Sequence, residues 1–169
     1  MAHPRHEFVR ERYGRRCGYC GVSEVDCGGP LTVDHHLPVA TAGNDSEDNL
    51  VYACFRCNSY KGDYWQPAEE TLRVLHPSRD DTTLHYHYQE ATGRLEPLTE
   101  TGGFHITLLR LNRPELVAHR LRQRIVVATA EQLRLLTERV EQLERALAVA
   151  HAYIAMMEKA TRKETTSEE

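Results

Sequence analysis

The stretch VDHHLPVATAGNDSEDNL, residues 33–50, lies between two Cys-x-x-Cys pairs, CGYC at 17–20 and CFRC at 54–57. Cys17, Cys20, Cys54 and Cys57 offer four soft thiolates in two knuckles, the donor set of a closed tetrahedral zinc site. With no open coordination position, such a zinc is structural and staples residues 17–20 to residues 54–57. Buried or redox-active cysteines are the competing reading, but nothing thioredoxin-like surrounds these pairs. Cys27 has no partner at matching spacing and reads as a spectator.

Inside the staple sits an acid followed by two histidines. Asp34 offers a hard carboxylate oxygen and Asn58 a neutral amide oxygen. Two such ligands, with waters and a substrate phosphate, suit Mg²⁺ or a similar divalent ion. A neutral His35 beside them would take a proton from water, while the ion polarises a phosphate. Lys61 would bind or neutralise that phosphate. A regular strand sends Asp34 and His35 to opposite faces, so a bend or bulge is expected to bring both to one cleft.

These groups need a strand, a loop and a helix to position them. Residues 3–16 read as a short arginine-rich helix. LTVDH reads as a strand after the Gly-Gly-Pro turn at 28–30, residues 39–48 as loop, and residues 48–61 as a helix carrying Asn49, the second knuckle, Asn58 and Lys61. Beyond Trp65, the segments LHYHYQE, RLEPLTE and FHITLLRL read as two or three short antiparallel strands. His85 and His87 share one face there, as exposed strand residues or, less simply, as ligands.

From Pro114 the pattern is helical, with Asn112 as the expected N-cap. Val126, Leu133, Val140, Leu147 and Ile154 fall at heptad position a. Thr129, Leu136, Leu143, Ala150 and Met157 fall at d, which predicts a coiled coil. Arg139 and Glu144 would pair across a parallel dimer, and Leu135, Val149 and Met156 widen the stripe toward a bundle. The alternative is a helix folded back on its own domain. The expected organisation is a zinc-knuckle module at 1–65, a small β-rich extension at 66–112, a long helix at 113–163 that associates through residues 126–160, and a disordered tail at 164–169. The fold class is α+β.

The 169 residues carry a net charge of −4, with 40% hydrophobic and 27% charged residues. That is an ordinary soluble composition, and no apolar run reaches the roughly 20 residues of a membrane span. Cytoplasm is the expected location. The charge is uneven. Arg5, Arg10, Arg12, Arg15 and Arg16 cluster near the start, and Arg110, Arg113, Arg120, Arg122 and Arg124 form a second group. Each group is either a phosphate-binding surface or a solvated helix face. Arg12, Arg15, Arg16 and Lys61 are the candidate phosphate contacts.

Residues 10–65 resemble the HNH nucleases of the ββα-metal (His-Me finger) fold. The resemblance rests on RRCGYCG, TVDHHLPVATAGN, DNLVYACFRCN and SYKGDYW, with Asp-His-x-x-Pro, an Asn-Leu fourteen residues after the histidine, and C-x-x-C-N-x-x-K-G in family order. It implies a metal-dependent DNA endonuclease that leaves 3′-hydroxyl and 5′-phosphate ends. It implies Asp34 and Asn58 as ligands of a catalytic Mg²⁺ or Mn²⁺, His35 as general base, and Asn49 as the residue that pins the loop and orients the base. It implies the four cysteines as a structural Zn²⁺ site. His36 departs from the usual apolar residue and is an extra contact or a second candidate base, although Pro38 counts correctly only from His35. Gly43 alone stands where many members have two glycines. Small members of the family often act as effectors in phage-defence or restriction systems, so a protein partner that selects the target or gates activity is expected, while the coil over residues 126–160 predicts a homodimer. The alternative is a zinc-stabilised nucleic-acid-binding or adaptor module without catalysis.

Overall fold

The computed structural model describes residues 3–165, and the end of the expected tail, residues 166–169, lies outside them. The architecture is α+β, in two units: residues 1–122 and residues 123–169.

The first unit opens with α1 (His6–Arg12), which buries only Val9, and a single turn, α2 (Glu24–Cys27). Ser23 caps α2 in a reciprocal box with Asp26, and Gly28 ends it at φ 76°. The hairpin β1 (Thr32–His35) and β2 (Leu50–Ala53) is antiparallel, with Thr32 opposite Ala53 and His35 opposite Leu50. The register runs without a bulge. α3 (Phe55–Lys61) follows at once, with Cys54 as its N-cap. Strand, strand and helix thus make the ββα unit that carries the candidate site.

Residues 50–53 are strand rather than the start of a helix. All four of Leu50, Val51, Tyr52 and Ala53 are fully buried. A run buried on both faces shows no alternation, so its period does not separate strand from helix.

The rest of the unit covers that core. β3 (Tyr86–Gln89) pairs with β4 (Arg94–Pro97) in a second antiparallel hairpin. The expected third strand is a helix, α4 (Glu100–Leu108), followed by a turn at Leu109–Asn112. The Thr99 hydroxyl accepts the Gly102 N–H at its start, and the buried Thr101, Gly102, His105 and Ile106 fall on one helical face. Gly102 is required there, because a Cβ would meet the His85 carbonyl oxygen at 1.9 Å. His87 is an exposed strand residue facing Glu96 at 3.2 Å. His85 bonds the Thr99 hydroxyl.

α5 (Pro114–Thr165) begins in the first unit, where Leu116 and His119 are buried. Asn112 does not cap it. Its side chain accepts the Leu95 N–H and donates to the Leu95 carbonyl, both at 2.7 Å, and so clamps β4. In the second unit every side chain from Arg124 to Met157 is exposed, including Leu133, Leu136, Val140, Leu143 and Leu147. No described helix is long and apolar enough to cross a membrane.

Candidate active site and metal centre

The four thiols converge. Each knuckle is a tight turn: Gly21 N–H bonds Cys17 O at 2.8 Å, and the Cys54 sulfur accepts the Cys57 N–H at 3.5 Å. Gly18 N–H bonds Tyr52 O at 2.8 Å, which ties the first knuckle to β2. All four Sγ atoms lie within 4.8 Å of one another, and Cys20 and Cys54 are 3.8 Å apart. A tetrahedron of Zn–S bonds near 2.3 Å has edges of about 3.8 Å. The spacing fits zinc, and none of the five cysteines is in a disulfide. Hydrogen bonds among the thiols push Cys20 and Cys54 below the ordinary thiol range and Cys17 and Cys57 above it. A central dication lets all four ionise together. Arg113, with its guanidinium 3.9 Å from the Cys57 sulfur, adds positive charge beside them.

Beside the knuckles lies an open cleft of about 290 Å³ lined by Asp34, His35, Pro38, Asn58 and Asp63, among others. His35, the last residue of β1, stands at the rim and bonds Asp45 through Nε2 at 2.7 Å. A carboxylate only accepts, so Nε2 carries the proton and Nδ1 holds the free lone pair. Those bonds, from His35 first and His3 second, lower the Asp45 pKa. Asn49 closes the loop behind the cleft. Its Oδ1 accepts the Leu37 N–H at 2.7 Å, and its Nδ2 donates to the carbonyls of Leu37 and Asn44. Asn58 donates to the Thr32 hydroxyl at 3.2 Å.

Asp34 is less free than its sequence position suggests. It is 6% exposed, accepts the Tyr19 hydroxyl at 2.6 Å on one oxygen, and meets Lys61 Nζ at 3.2 Å on the other. Burial raises its pKa, opposed by the Lys61 charge and the Tyr19 bond. Burial and Asp34 together hold the Tyr19 pKa well up, so the phenol stays a donor. A carboxylate has about four lone-pair sites, so two bonds leave acceptor capacity on the cleft side. Asp34, Asn58 and Asp63 line the same cleft and carry carboxylate and amide oxygens, the donor type that hard divalent ions take.

Several expectations change. No bulge turns Asp34 and His35 to one side; Asp34 lies at the floor and His35 at the rim. Lys61 is 2% exposed and donates to Asp34 and the His35 carbonyl, so its ammonium is an internal counterion, not a surface phosphate contact. His36 points inward with Asp34. It is 9% exposed, stacks edge-on against His76 at 4.5 Å, and burial drives its pKa down to about 3. It is not a second base at the cleft. Arg12 reaches the Glu47 carbonyl and Asp48, Arg15 pairs with Glu11, and Arg16 bonds the Gly21 carbonyl. In the second basic group, Arg110 lies 4.7 Å over the Tyr60 ring, and Arg120 donates to the Gly93 and Leu111 carbonyls.

Sequence spacing did not point to Tyr19, His3, Asp45 or Asp63. His3 lies 42 positions from Asp45, yet their side chains meet at 3.3 Å. Asp45 had one available signal, a carboxylate ten residues after His35 in a loop that Asn49 folds back. No curated protein and no solved structure matches the chain. The family model described as HNH endonuclease matches residues 17–64, the span from the first knuckle cysteine through α3. Residues 17–64, with the zinc knuckles and the ββα unit, are thus similar to an HNH endonuclease domain.

Proposed function

We propose that the protein hydrolyses phosphodiester bonds in DNA, with His35 as general base. The observation that carries this reading is that Asp34, His35 and Asn58 line one open cleft inside the HNH-matched span. Asp45 fixes the His35 tautomer, leaving Nδ1 to take a proton from the attacking water. The water oxygen bonds to phosphorus, the P–O3′ bond breaks, and the 3′ oxygen takes a proton from solvent. A divalent ion held by Asp34 and Asn58 would supply charge neutralisation at the phosphate. Lys61 keeps the Asp34 carboxylate in place.

The test is cleavage of supercoiled plasmid with Mg²⁺, Mn²⁺ or EDTA. His35→Ala is expected to lower the metal-dependent rate by about 10²-fold or more. Cleavage that survives both the variant and EDTA would sink the assignment. One observation favours the non-catalytic alternative, namely that Tyr19 and Lys61 already engage both oxygens of Asp34. Asn58→Ala separates the two, because among the described residues the Asn58 side chain hydrogen-bonds only the Thr32 hydroxyl. Lost cleavage with retained DNA binding supports hydrolysis. DNA binding without cleavage by the parent chain under either ion supports the module.

The apolar stripe of residues 126–157 supports a homodimer through the coil. A dimer would bring two sites to one assembly, and the coil is where a target-selecting or gating partner in a defence system would attach. Light scattering on a chain lacking residues 126–169 tests this: an unchanged number of chains per particle rules the coil out as the assembly element.

A further inference from the structure

We propose that His3, His35 and Asp45 form a second metal centre for a borderline divalent ion of the Zn²⁺ or Co²⁺ class, and that filling it withdraws His35 from proton transfer. The second half rests on reading His35 as the general base; the first half stands on geometry alone.

Three separate segments deliver the donors. His3 precedes α1, His35 ends β1, and Asp45 sits in the loop that Asn49 ties down. One Asp45 oxygen receives His35 Nε2 at 2.7 Å and His3 Nε2 at 3.3 Å, and all three donor atoms lie within 4.8 Å of one another. The two imidazole rings stand edge-to-face with centroids 5.5 Å apart. Tetrahedral bonds of 2.0–2.1 Å require donor separations of about 3.3–3.4 Å. The cluster reaches that by small side-chain shifts. The side chains of His3 and His35 are only 19% and 20% exposed, while that of Asp45 is 58% exposed. The rings are largely sheltered and the carboxylate opens the site to solvent.

Donor chemistry separates this centre from the cleft. Two imidazoles and one carboxylate suit zinc-class ions and leave open positions for water, whereas Asp34, Asn58 and Asp63 are oxygen donors that suit Mg²⁺. His35 belongs to both places, and its tautomer decides between them. With no ion, Nε2 donates to Asp45 and Nδ1 is free. An ion on Nε2 leaves the ring proton on Nδ1, the nitrogen that would accept the water proton. The change in His3 is small. Its Nδ1 gives up an exposed 3.1 Å bond from the Arg5 N–H, which water replaces. No group is oxidised or reduced.

The experiment is calorimetric titration of Co²⁺ into full-length protein whose four cysteines already hold one zinc, followed by plasmid cleavage at the same Co²⁺ concentrations in Mg²⁺. The expected result is one further equivalent of Co²⁺, with affinity at least about tenfold weaker in His3→Gln and in Asp45→Asn. An unchanged melting temperature shows that both variants remain folded. Paramagnetic loss of the His3 and His35 ring resonances locates the ion independently. No second equivalent, or equal affinity in His3→Gln, overturns the centre. A chain that binds Co²⁺ here but never cuts DNA upholds the centre and sinks the nuclease reading. Cutting that persists with the second equivalent bound overturns the withdrawal of His35.

Discussion

Between Cys17 and Tyr64 the chain buries Leu31, Leu50, Val51, Tyr52 and Ala53 around four converging thiols, whereas between Arg124 and Met157 every side chain is exposed. Both segments carry comparable apolar content, but they spend it differently. The first closes its contacts within the chain, in strands of four residues and a helix of seven that are too short to persist alone. The second satisfies its backbone bonds in one helix and leaves its apolar side chains exposed. The short elements rely on long-range contacts, and the long one on its own hydrogen bonds.

The largest expected effect breaks the staple. A structural zinc contributes on the order of 10–16 kcal/mol of apparent binding free energy in small domains, against a net stability of about 5–15 kcal/mol for a typical domain. Cys57→Ser, or a strong chelator, is therefore expected to unfold residues 17–64. The check is loss of amide dispersion for that segment by NMR, alongside a zinc assay. If the segment keeps its spectrum without zinc, the hydrophobic core alone holds the hairpin, and the contrast with the helix disappears.

The next effect tests the helix. Leu136 and Leu143 are 55% and 54% exposed in the single chain, at successive d positions. Burying a leucine at a packed seam is worth about 2–5 kcal/mol relative to alanine, and a lysine there adds a desolvation cost. Leu136→Lys with Leu143→Lys is expected to reduce the light-scattering mass to one chain and lower the helical melting temperature, with the zinc segment's spectrum unchanged. A parent chain that is already monomeric removes the need for the seam.

What could be read from the residues followed the same division. The zinc knuckles and the long helix were legible because each follows from local spacing, two cysteines per turn or apolar residues recurring at helical period. Asp34, His35 and Asn58 stood out by residue type and line one cleft, but the partners that surround them were not visible in the sequence. Lys61 reads as a surface cation until Asp34 and the His35 carbonyl receive its ammonium, and Asp45 reads as one acid of a polar loop until Asn49 folds that loop onto His35. β2 was illegible for the opposite reason: burial on both faces erases its period. α4 was misread as a strand because the run from Phe104 to Leu111 is apolar, while the Thr99 cap that starts the helix lies five residues earlier. Long-range pairing and two-sided burial are not written in local pattern.

The smallest effect sharpens the contrast by pH. His105 is 2% exposed, lies parallel to Tyr86 at 5.9 Å, and accepts the Leu75 N–H through Nδ1 at 3.1 Å. Burial lowers its pKa from 6.5 to about 4; Asp80 opposes this, while His85 and Arg73 reinforce it. Protonating Nδ1 also breaks the Leu75 bond. The unfolded chain therefore binds a proton that the folded chain refuses between pH 6.5 and 4. The contribution of His105 to stability is complete above pH 6.5 and falls as pH drops through that window, by roughly 1.4 kcal/mol per unit at most. The helical unit holds one histidine, the exposed His151, so its stability is not expected to follow this slope above pH 5, where its glutamates stay ionised. Denaturant unfolding of the first unit at pH 7.5, 6 and 5 measures the slope. His105→Asn offers Leu75 an acceptor that does not titrate and is expected to flatten the slope by about one proton. An equal slope in that variant would move the acid sensitivity to His36 and His76, the other two buried imidazoles whose pKa burial lowers.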